Sequence, residues 1–195
     1  MQLFLNKASP YARLVLVTVH EKNLAERVEL KWTDPWASPA ELLAVNPAAK
    51  VPVLLTDDGQ PIVDSVCICM FLDAAGAGPA LFARGAAALM KFGLGRSLID
   101  AAFGVTIERR YGDSNSMLVQ RWLAAVERTI AALEKDPALG DSLERPGIGD
   151  LAIAVGLAYV EFRLPEVRWR AGAPALGAWL DKIAERPSLR ATRPE

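Results

Sequence analysis

The sequence predicts an α/β domain with a four-stranded mixed sheet, followed by an all-α bundle. Three observations lead there. Residues 1–76 alternate strand-like and helix-like apolar spacing. Residues 74–79 (AAGAGP) interrupt that alternation with Gly and Ala. From about Leu81 onward only helical spacing occurs. At 195 residues the chain suits one medium domain or two small ones, since domains run to about 100–200 residues. The expected boundaries are 1–76, a linker over 77–84, and a helical domain over 85–195.

Taken in order, residues 2–5 form a short apolar run that suits a buried strand. Ser9-Pro10 then reads as a helix start, with Ser at the cap and Pro at the first helical position. Ala12, Val15, Leu16 and Val19 carry the helix on at core-facing spacing. Residues 27–32 (RVELKW) place Val28, Leu30 and Trp32 on one face of a second strand. A strand–helix–strand unit of this kind is parallel and right-handed. Ser38-Pro39 with Glu41 has the spacing of a capping box, so a short helix is expected over 40–45. Asn46-Pro47 ends it, because a residue before Pro avoids the helical region. Residues 51–55 read as a strand opening around Pro52, and Asp57-Asp58-Gly59 marks a hairpin to a return strand at Ile62-Val63. Asp64-Ser65 then caps a helix running to Leu72. Further helices are expected over 86–111, 116–135, 150–163 and 174–186. Gly93, Gly95 and Gly104 predict a bend or break in the first of these. The helix from Asp150 is apolar nearly all round, which predicts the centre of the bundle.

Composition narrows the function classes. The formal net charge is −1, from 22 Lys plus Arg against 23 Asp plus Glu. That balance offers no clustered basic surface for nucleic acid. Hydrophobic residues make up 52% of the chain, enough for a core and against wholesale disorder. The only cysteines, Cys67 and Cys69, cannot staple the fold and predict a reducing, cytoplasmic setting. Two apart on a helix, they point about 200° apart, so they form no redox pair; they read as small buried apolar residues. With His20 as the single histidine, no Cys/His zinc cluster and no metal are expected. His20 reads as a structural or surface residue. The N-terminal residues lack the apolar run of a signal peptide, and residues 151–160 are too short to span a membrane.

Three local features bear on chemistry. Ser9 is a hydroxyl at a helix N-terminus just after a strand, where free N–H groups and the dipole favour a thiolate. Such a Ser is equally an ordinary cap. Pro52 opens a strand and leaves the neighbouring backbone of Val51 available to a peptide-like ligand. A cis bond at Pro52 would serve that purpose. Asp64-Ser65 is a second helix N-terminus, suited to an α-carboxylate through Ser65 and free N–H groups, with Asp64 taking an ammonium. Capping alone also accounts for that pair.

The order and spacing of these features resemble the glutathione S-transferase superfamily. The residues are Ser9-Pro10-Tyr11-Ala12-Arg13, Glu21-Lys22-Asn23-Leu24, Asn46-Pro47-Ala48-Ala49-Lys50-Val51-Pro52-Val53-Leu54, Asp58-Gly59, Asp64-Ser65 and Phe71-Leu72-Asp73. Arg145-Pro146-Gly147-Ile148-Gly149-Asp150 is similar to the cap and hydrophobic staple of the family's central bundle helix, with Gly147 where Ser or Thr is usual. Tyr159 to Arg163 (YVEFR) and Arg190 to Glu195 (RATRPE) are most similar to a bacterial branch, the YibF-like transferases. The resemblance covers the whole chain.

The resemblance implies a thioredoxin-like first domain that binds glutathione as co-substrate, and a helical second domain. Ser9 matches the catalytic Ser or Cys, its hydroxyl donating to the glutathione thiolate; Asn6 and Lys7 are nearby competitors for that role. Val51 matches the residue before the family's cis-Pro, pairing by backbone with the cysteinyl part, while Pro52 shapes the site. Lys50 matches a position that in some classes binds the glycyl carboxylate. Asp64 and Ser65 match the pair that holds the γ-glutamyl end. Position and size make Tyr11, Trp36, Phe103 and the Arg109–Arg110 pair candidates for a second, hydrophobic electrophilic substrate, with Asp100 facing the cleft. Tyr11 and Phe103 could equally be core, and the arginines solvated. The implied activity is glutathione transfer in detoxification, by a homodimer, to aryl halides, epoxides, isothiocyanates or organic peroxides. Peroxidase or reductase side activity is a variant, against which stands Ser9 in place of Cys, because reduction of disulfides needs a protein thiolate. The alternative is a non-catalytic binding or stress-response protein with the same fold, since fold does not fix function.

Overall fold

The computed structural model describes residues 1–82, 85–136 and 143–194. Residues 83 and 84, where the expected linker ends, and Glu195 of the last motif lie outside the described residues. The chain forms two compact units. One holds Met1–Phe82 and the chain end from Ala191; the other holds the residues between, up to Arg190.

In the first unit the elements are β1 (Gln2–Leu5), α1 (Pro10–Glu21), β2 (Glu29–Trp32), α2 (Ala40–Val45), β3 (Val53–Leu55), β4 (Pro61–Val63) and α3 (Ser65–Ala75). They build one four-stranded sheet in the order β2-β1-β3-β4. β1 and β2 are parallel, and β3 runs antiparallel to both β1 and β4. The predicted mixed sheet is therefore present. Strand side chains alternate between faces. Phe4 and Val53 share a cluster with Leu42 of α2, flanked by Val45, Val51 and Leu55. Leu3, Leu5 and Leu54 occupy the other face and are also buried. α1 and α3 pack against one another, joined in the core by Thr18, whose Oγ1 donates to the Leu14 carbonyl (2.9 Å) and lies 3.3 Å from Cys69 Sγ. Val15, Val17, Thr18 and Val19 are weak helix formers, yet all four are buried in α1, so packing outweighs propensity. Cys67 is exposed, contrary to the expectation that both cysteines are buried, while Cys69 is buried.

Two local expectations change. β3 begins at Val53 instead of residue 51. The capping box at Ser38 does not form: Ser38 adopts a left-handed conformation (φ 45°) that closes a 3₁₀ turn over Pro35–Ala37, and Pro39 is the cap of α2. The turn takes Ser38 before the helix can use it. The hairpin is as predicted, with Gly59 at φ 79° and its N–H donating to the Thr56 carbonyl (3.1 Å).

A buried ion pair closes the first unit. The Lys22 side chain is only 2% exposed, and its Nζ lies 3.0 Å from Asp73 Oδ1. The same ammonium donates to the carbonyls of Pro79 (2.9 Å) and Gly78 (3.3 Å). Asp73 accepts from the N–H groups of Leu81 (2.9 Å) and Phe82 (3.1 Å). The Lys22 carbonyl accepts from the Ala77 N–H (3.0 Å). A Cβ on Gly76 would lie 2.5 Å from Lys22 Cβ and 2.7 Å from its carbonyl oxygen, so the chain passes this point only as glycine. Residues 76–82 are thereby tied to the C-terminal end of α1.

The second unit contains α4 (Ala86–Tyr111), α5 (Met117–Leu133), α6 (Ile148–Arg163), α7 (Pro174–Ile183) and all but the last residue of α8 (Pro187–Ala191). α6 is buried along most of its length and packs chiefly on α4, as its apolar surface predicted. α4 is continuous, so of the expected bend or break the break does not occur. Its glycines serve close approach instead. A Cβ on Gly95 would lie 2.8 Å from Ala152 Cβ and from the Ile153 nitrogen, and one on Gly104 would lie 2.8 Å from the Trp122 ring. α7 ends at Ile183, short of 186, and the short helix α8 was not predicted. The Gly147 N–H donates to Asp150 Oδ2 (2.8 Å), and Lys91 Nζ sits 2.6 Å from Asp150 Oδ1. Glu134 accepts from the N–H groups of Ala175 (3.1 Å) and Leu176 (2.7 Å), which caps α7.

Two outcomes follow from this packing. Asp73→Asn leaves the Lys22 ammonium buried without its counter-charge, and urea unfolding at neutral pH should show a loss of about 3 kcal/mol. Burial pushes the Asp73 carboxyl up, but the Leu81 and Phe82 N–H groups and Lys22 outweigh it and hold it below its ordinary value. Its contribution is therefore present above about pH 4 and lost as pH falls through the lowered native value. The Asn variant should show a flatter acid limb. Gly95→Ala should destabilise by about 1–2 kcal/mol through overpacking. Gly93→Ala, where a Cβ meets nothing within 4 Å, should stabilise by up to about 1 kcal/mol.

Candidate functional site

The site begins where β1 ends. The loop between β1 and α1 is held by Asn6, whose Nδ2 donates to the Thr33 carbonyl (3.3 Å) and whose Oδ1 accepts from the Ala8 N–H (2.9 Å). Lys7 lies over the Trp32 ring, 5.9 Å from its centroid. Both expected competitors of Ser9 thus have partners of their own. Ser9 is the N-cap of α1, and its Oγ accepts from the Ala12 N–H at 3.2 Å. A hydroxyl carries one donor and two acceptor lone pairs. Accepting from Ala12 leaves the Ser9 proton to donate, so capping and thiolate stabilisation are compatible uses of one group.

The second segment joins α2 to β3. Asn46 is buried (6% exposed) at the end of α2. Its Oδ1 accepts from the Ala48 N–H (3.1 Å) and its Nδ2 donates to the Lys50 carbonyl (2.9 Å). Between them Ala49 takes a positive φ of 51°, and the Val51–Pro52 peptide is cis. Lys50 is exposed, with no ion-pair partner among the described residues; Val51 is half-buried and Pro52 buried. Val51 lies before the first pairing of β3.

The third segment follows β4. Asp64 is exposed, has φ 72°, and caps α3 by accepting from the Val66 N–H at 2.7 Å. Ser65 is the first residue of the helix and is 3% exposed. Of the two residues offered as cap, Asp64 takes the role.

Sheet register brings these segments together. Phe4 of β1 pairs with Val53, the first residue of β3, and Val53 also pairs with Val63, the last residue of β4. The loops carrying Ser9, Lys50–Val51 and Asp64–Ser65 therefore leave the sheet at one end. Two helix N-termini and a strand entry meet there, with a hydroxyl, an exposed ammonium, an exposed carboxylate and a backbone strand edge. That combination can hold a peptide-like ligand with a free thiol, carboxylates and an ammonium. An open hollow of about 590 Å³ lies at the opposite end, lined by Met1, Arg27, Glu29 and Asp57 among others. Within it the N-terminal ammonium is 2.5 Å from Asp57, and Arg27 is 3.8 Å from the same carboxylate.

The residues expected to take a second substrate are dispersed over both units. Tyr11 is half-buried on α1, and Trp36 is exposed in the 3₁₀ turn. Phe103 is half-buried on α4 and Asp100 exposed, the latter 3.4 Å from Arg96. Arg109 donates to Glu166 at 2.5 Å, and this bond holds the Glu166 carboxyl below its ordinary value against the effect of burial. Arg110 lies over the Tyr111 ring. Among the described residues no three His, Cys, Asp or Glu side chains gather as a metal would require, and no helix is long and apolar enough to cross a membrane.

Sequence reasoning missed one feature of the site. Asn46 entered it as a helix stop and as the first residue of the Asn46–Leu54 segment, with no role for its side chain, although a polar side chain before Pro47 was the available signal. Ser9→Ala should lower stability by about 1 kcal/mol through the lost cap, whatever Ser9 does in chemistry, as thermal unfolding will show.

Residues 8–75 match the family model described as Glutathione S-transferase, N-terminal domain, and residues 116–182 match that described as Glutathione S-transferase, C-terminal domain. A glutathione transferase family member from Pseudomonas fluorescens Pf-5, solved with bound glutathione, is 33% identical with a TM-score of 0.90, over 100% of this chain and 98% of that one. A second structure of such a family member from Pf-5, with bound S-(propanoic acid)-glutathione, is 33% identical with a TM-score of 0.86, over 100% of both chains. The uncharacterized GST-like protein YibF of Escherichia coli K12 is 24% identical over 203 residues, covering 100% of this chain and 98% of that protein.

Proposed function

Because the chain belongs to the glutathione S-transferase family, we propose that it binds reduced glutathione, stabilises its thiolate at Ser9, and transfers it to a small hydrophobic electrophile. The observation that carries this is the convergence of Ser9, Lys50–Val51 and Asp64–Ser65 at one end of the sheet. The peptide-binding parts supply complementary chemistry. The Val51 backbone pairs with the cysteinyl residue as an added strand would. Lys50 takes the glycyl carboxylate. Asp64 takes the γ-glutamyl ammonium, and Ser65 with the N-terminus of α3 takes its carboxylate. Pro52 shapes the turn between them. Solved family members with glutathione or S-(propanoic acid)-glutathione bound support the choice of ligand.

The chemistry needs a thiolate. A free thiol has a pKa of about 8.5, so little is ionised at neutral pH. The Ser9 hydroxyl donates to sulfur in its ionised form, and the positive end of α1 adds a favourable field. Both lower the thiol pKa and release its proton to solvent. The thiolate then attacks an electrophilic carbon, forming a C–S bond as a leaving group departs or a strained ring opens. Tyr11, Trp36, Phe103 and Arg109 are the residues proposed to meet that electrophile. Reduction of disulfides is a weaker fit, since the cysteines of this chain lie on α3 and a hydroxyl occupies the α1 terminus. We place the reaction in the cytoplasm, where glutathione is kept reduced, and in a homodimer whose second copy covers exposed apolar residues such as Val63, Met70 and Phe71.

Calorimetric titration with reduced glutathione should show one site per chain. Lys50→Ala should weaken binding about fivefold, the worth of a partly exposed charge-assisted contact of about 1 kcal/mol, and Ser65→Ala should weaken it as well. Ser9→Ala should bind glutathione while the thiolate absorbance of the complex moves to higher pH. Absence of both heat and thermal stabilisation at millimolar glutathione would leave a non-catalytic scaffold as the function of this fold.

A further inference from the structure

We infer that Asn46 is a positioning residue for glutathione, setting the presentation of Lys50 and Val51 without touching the ligand; this rests on the function proposed above. Asn46 is 6% exposed, and each of its polar groups bonds to the chain between Leu42 and Lys50. Its N–H donates to the Leu42 carbonyl (2.8 Å), closing α2, and its carbonyl accepts from the Ala49 N–H (3.0 Å). Its side chain accepts from the Ala48 N–H and donates to the Lys50 carbonyl. Three of these bonds therefore fix 46–50 as a unit and the fourth ties it to α2, and together they hold Ala49 at a positive φ that an L residue adopts rarely. The donated bond matters most. The Lys50 carbonyl belongs to the peptide whose N–H is that of Val51. Pinning the carbonyl at 2.9 Å orients the whole Lys50–Val51 peptide plane, because a peptide group is planar. The N–H offered to the cysteinyl residue of glutathione is thus aimed from a buried amide behind it.

Of the short polar side chains, only asparagine carries both a donor and an acceptor that reach these two partners. Aspartate keeps the acceptor for Ala48 but has no donor when ionised, and it sets a negative charge against the Lys50 carbonyl. Serine keeps a short acceptor and cannot span to Lys50. The two substitutions remove the same bond with and without a charge. Neither removes a residue that contacts substrate.

The experiment compares wild type with Asn46→Asp and Asn46→Ser. Three readouts are taken: the glutathione dissociation constant by calorimetry, the steady-state constants with an activated aryl halide, and backbone amide exchange in the ligand-free protein. The dissociation constant and the KM for glutathione should rise about fivefold or more in both variants, as expected for one lost buried hydrogen bond. The kcat at saturating glutathione and the KM for the halide should stay within about twofold. Amide protection in β3 should persist, while exchange at Ala49, whose N–H bonds to the Asn46 carbonyl, speeds up. A merely structural role predicts the reverse split: a smaller active fraction, lower kcat and unchanged KM for glutathione. Glutathione constants within about twofold of wild type in both variants overturn the inference alone. A wild-type protein that binds no glutathione overturns the proposed function, and the inference with it. Should Asn46→Asp fail to fold because of its buried charge, the neutral Asn46→Ser variant decides by the same readouts.

Discussion

The direction of β3 is the constraint on which the site depends. β3 lies between β1 and β4 and runs against both. Its entry therefore falls beside the exits of its neighbours. Were β3 parallel to β1, Lys50 and Val51 would lie at the far end of the sheet from Ser9. The hairpin at Asp58-Gly59 enforces the β3–β4 direction, since a tight turn joins only antiparallel strands. The parallel pair β1–β2 needs a crossover instead, and α1 supplies it. The same crossover puts the N-terminus of α1, with its free N–H groups, at the site end.

Polar side chains then do locally what strand pairing does globally. Each site segment is irregular backbone, and each is held by one short side chain that bonds back to the chain within a few residues or across the sheet: Asn6 in the first, Asn46 in the second, Asp64 in the third. Buried or half-buried loops need this, because their backbone groups have no ladder to pair with. The positive φ at Ala49 and Asp64 shows how far these loops depart from regular structure. Asp64 is itself a proposed ligand contact and Ala49 directly precedes one, Lys50; Asn23 and Ser38, which also take a positive φ, follow the end of α1 and the 3₁₀ turn instead.

Much of this was legible in residue order. Alternation in RVELKW, the Asp-Gly turn and Pro10 after Ser9 located the strands and the first helix, because each rests on local physics. The all-apolar surface of α6 likewise foretold its central place. The glycines of α4 misled for a physical reason: glycine is both a helix breaker and the residue that permits close helix contact. Only the facing Ala152, Ile153 and Trp122 decide between those uses, and they lie far away in sequence. Ser38 misled in a similar way, since two neighbouring turns competed for it. Of the proposed site residues, Ser9, Val51 and Asp64–Ser65 were legible as helix or strand entries, and Lys50 only through the family resemblance. The brace by Asn46 was not, because its worth lies in two bonds whose geometry exists only once the loop is closed. The pairing of Lys22 with Asp73 needed tertiary packing for the same reason.

The clasp formed by Lys22 and Asp73 also redraws where one module stops. By composition the first domain closes at residue 76, just where the Gly- and Ala-rich stretch lies. Yet the donors and acceptors that complete the buried pair sit further on, at Gly78, Pro79, Leu81 and Phe82. A chimaera joined at 76 to a foreign helical half would inherit a buried lysine and carboxylate while their backbone partners came from another parent. A chimaera joined after 82 would carry the full set intact. In this fold the exchangeable cassette is therefore longer than its secondary structure, and its true edge is drawn by the hydrogen bonds of one lysine and one aspartate.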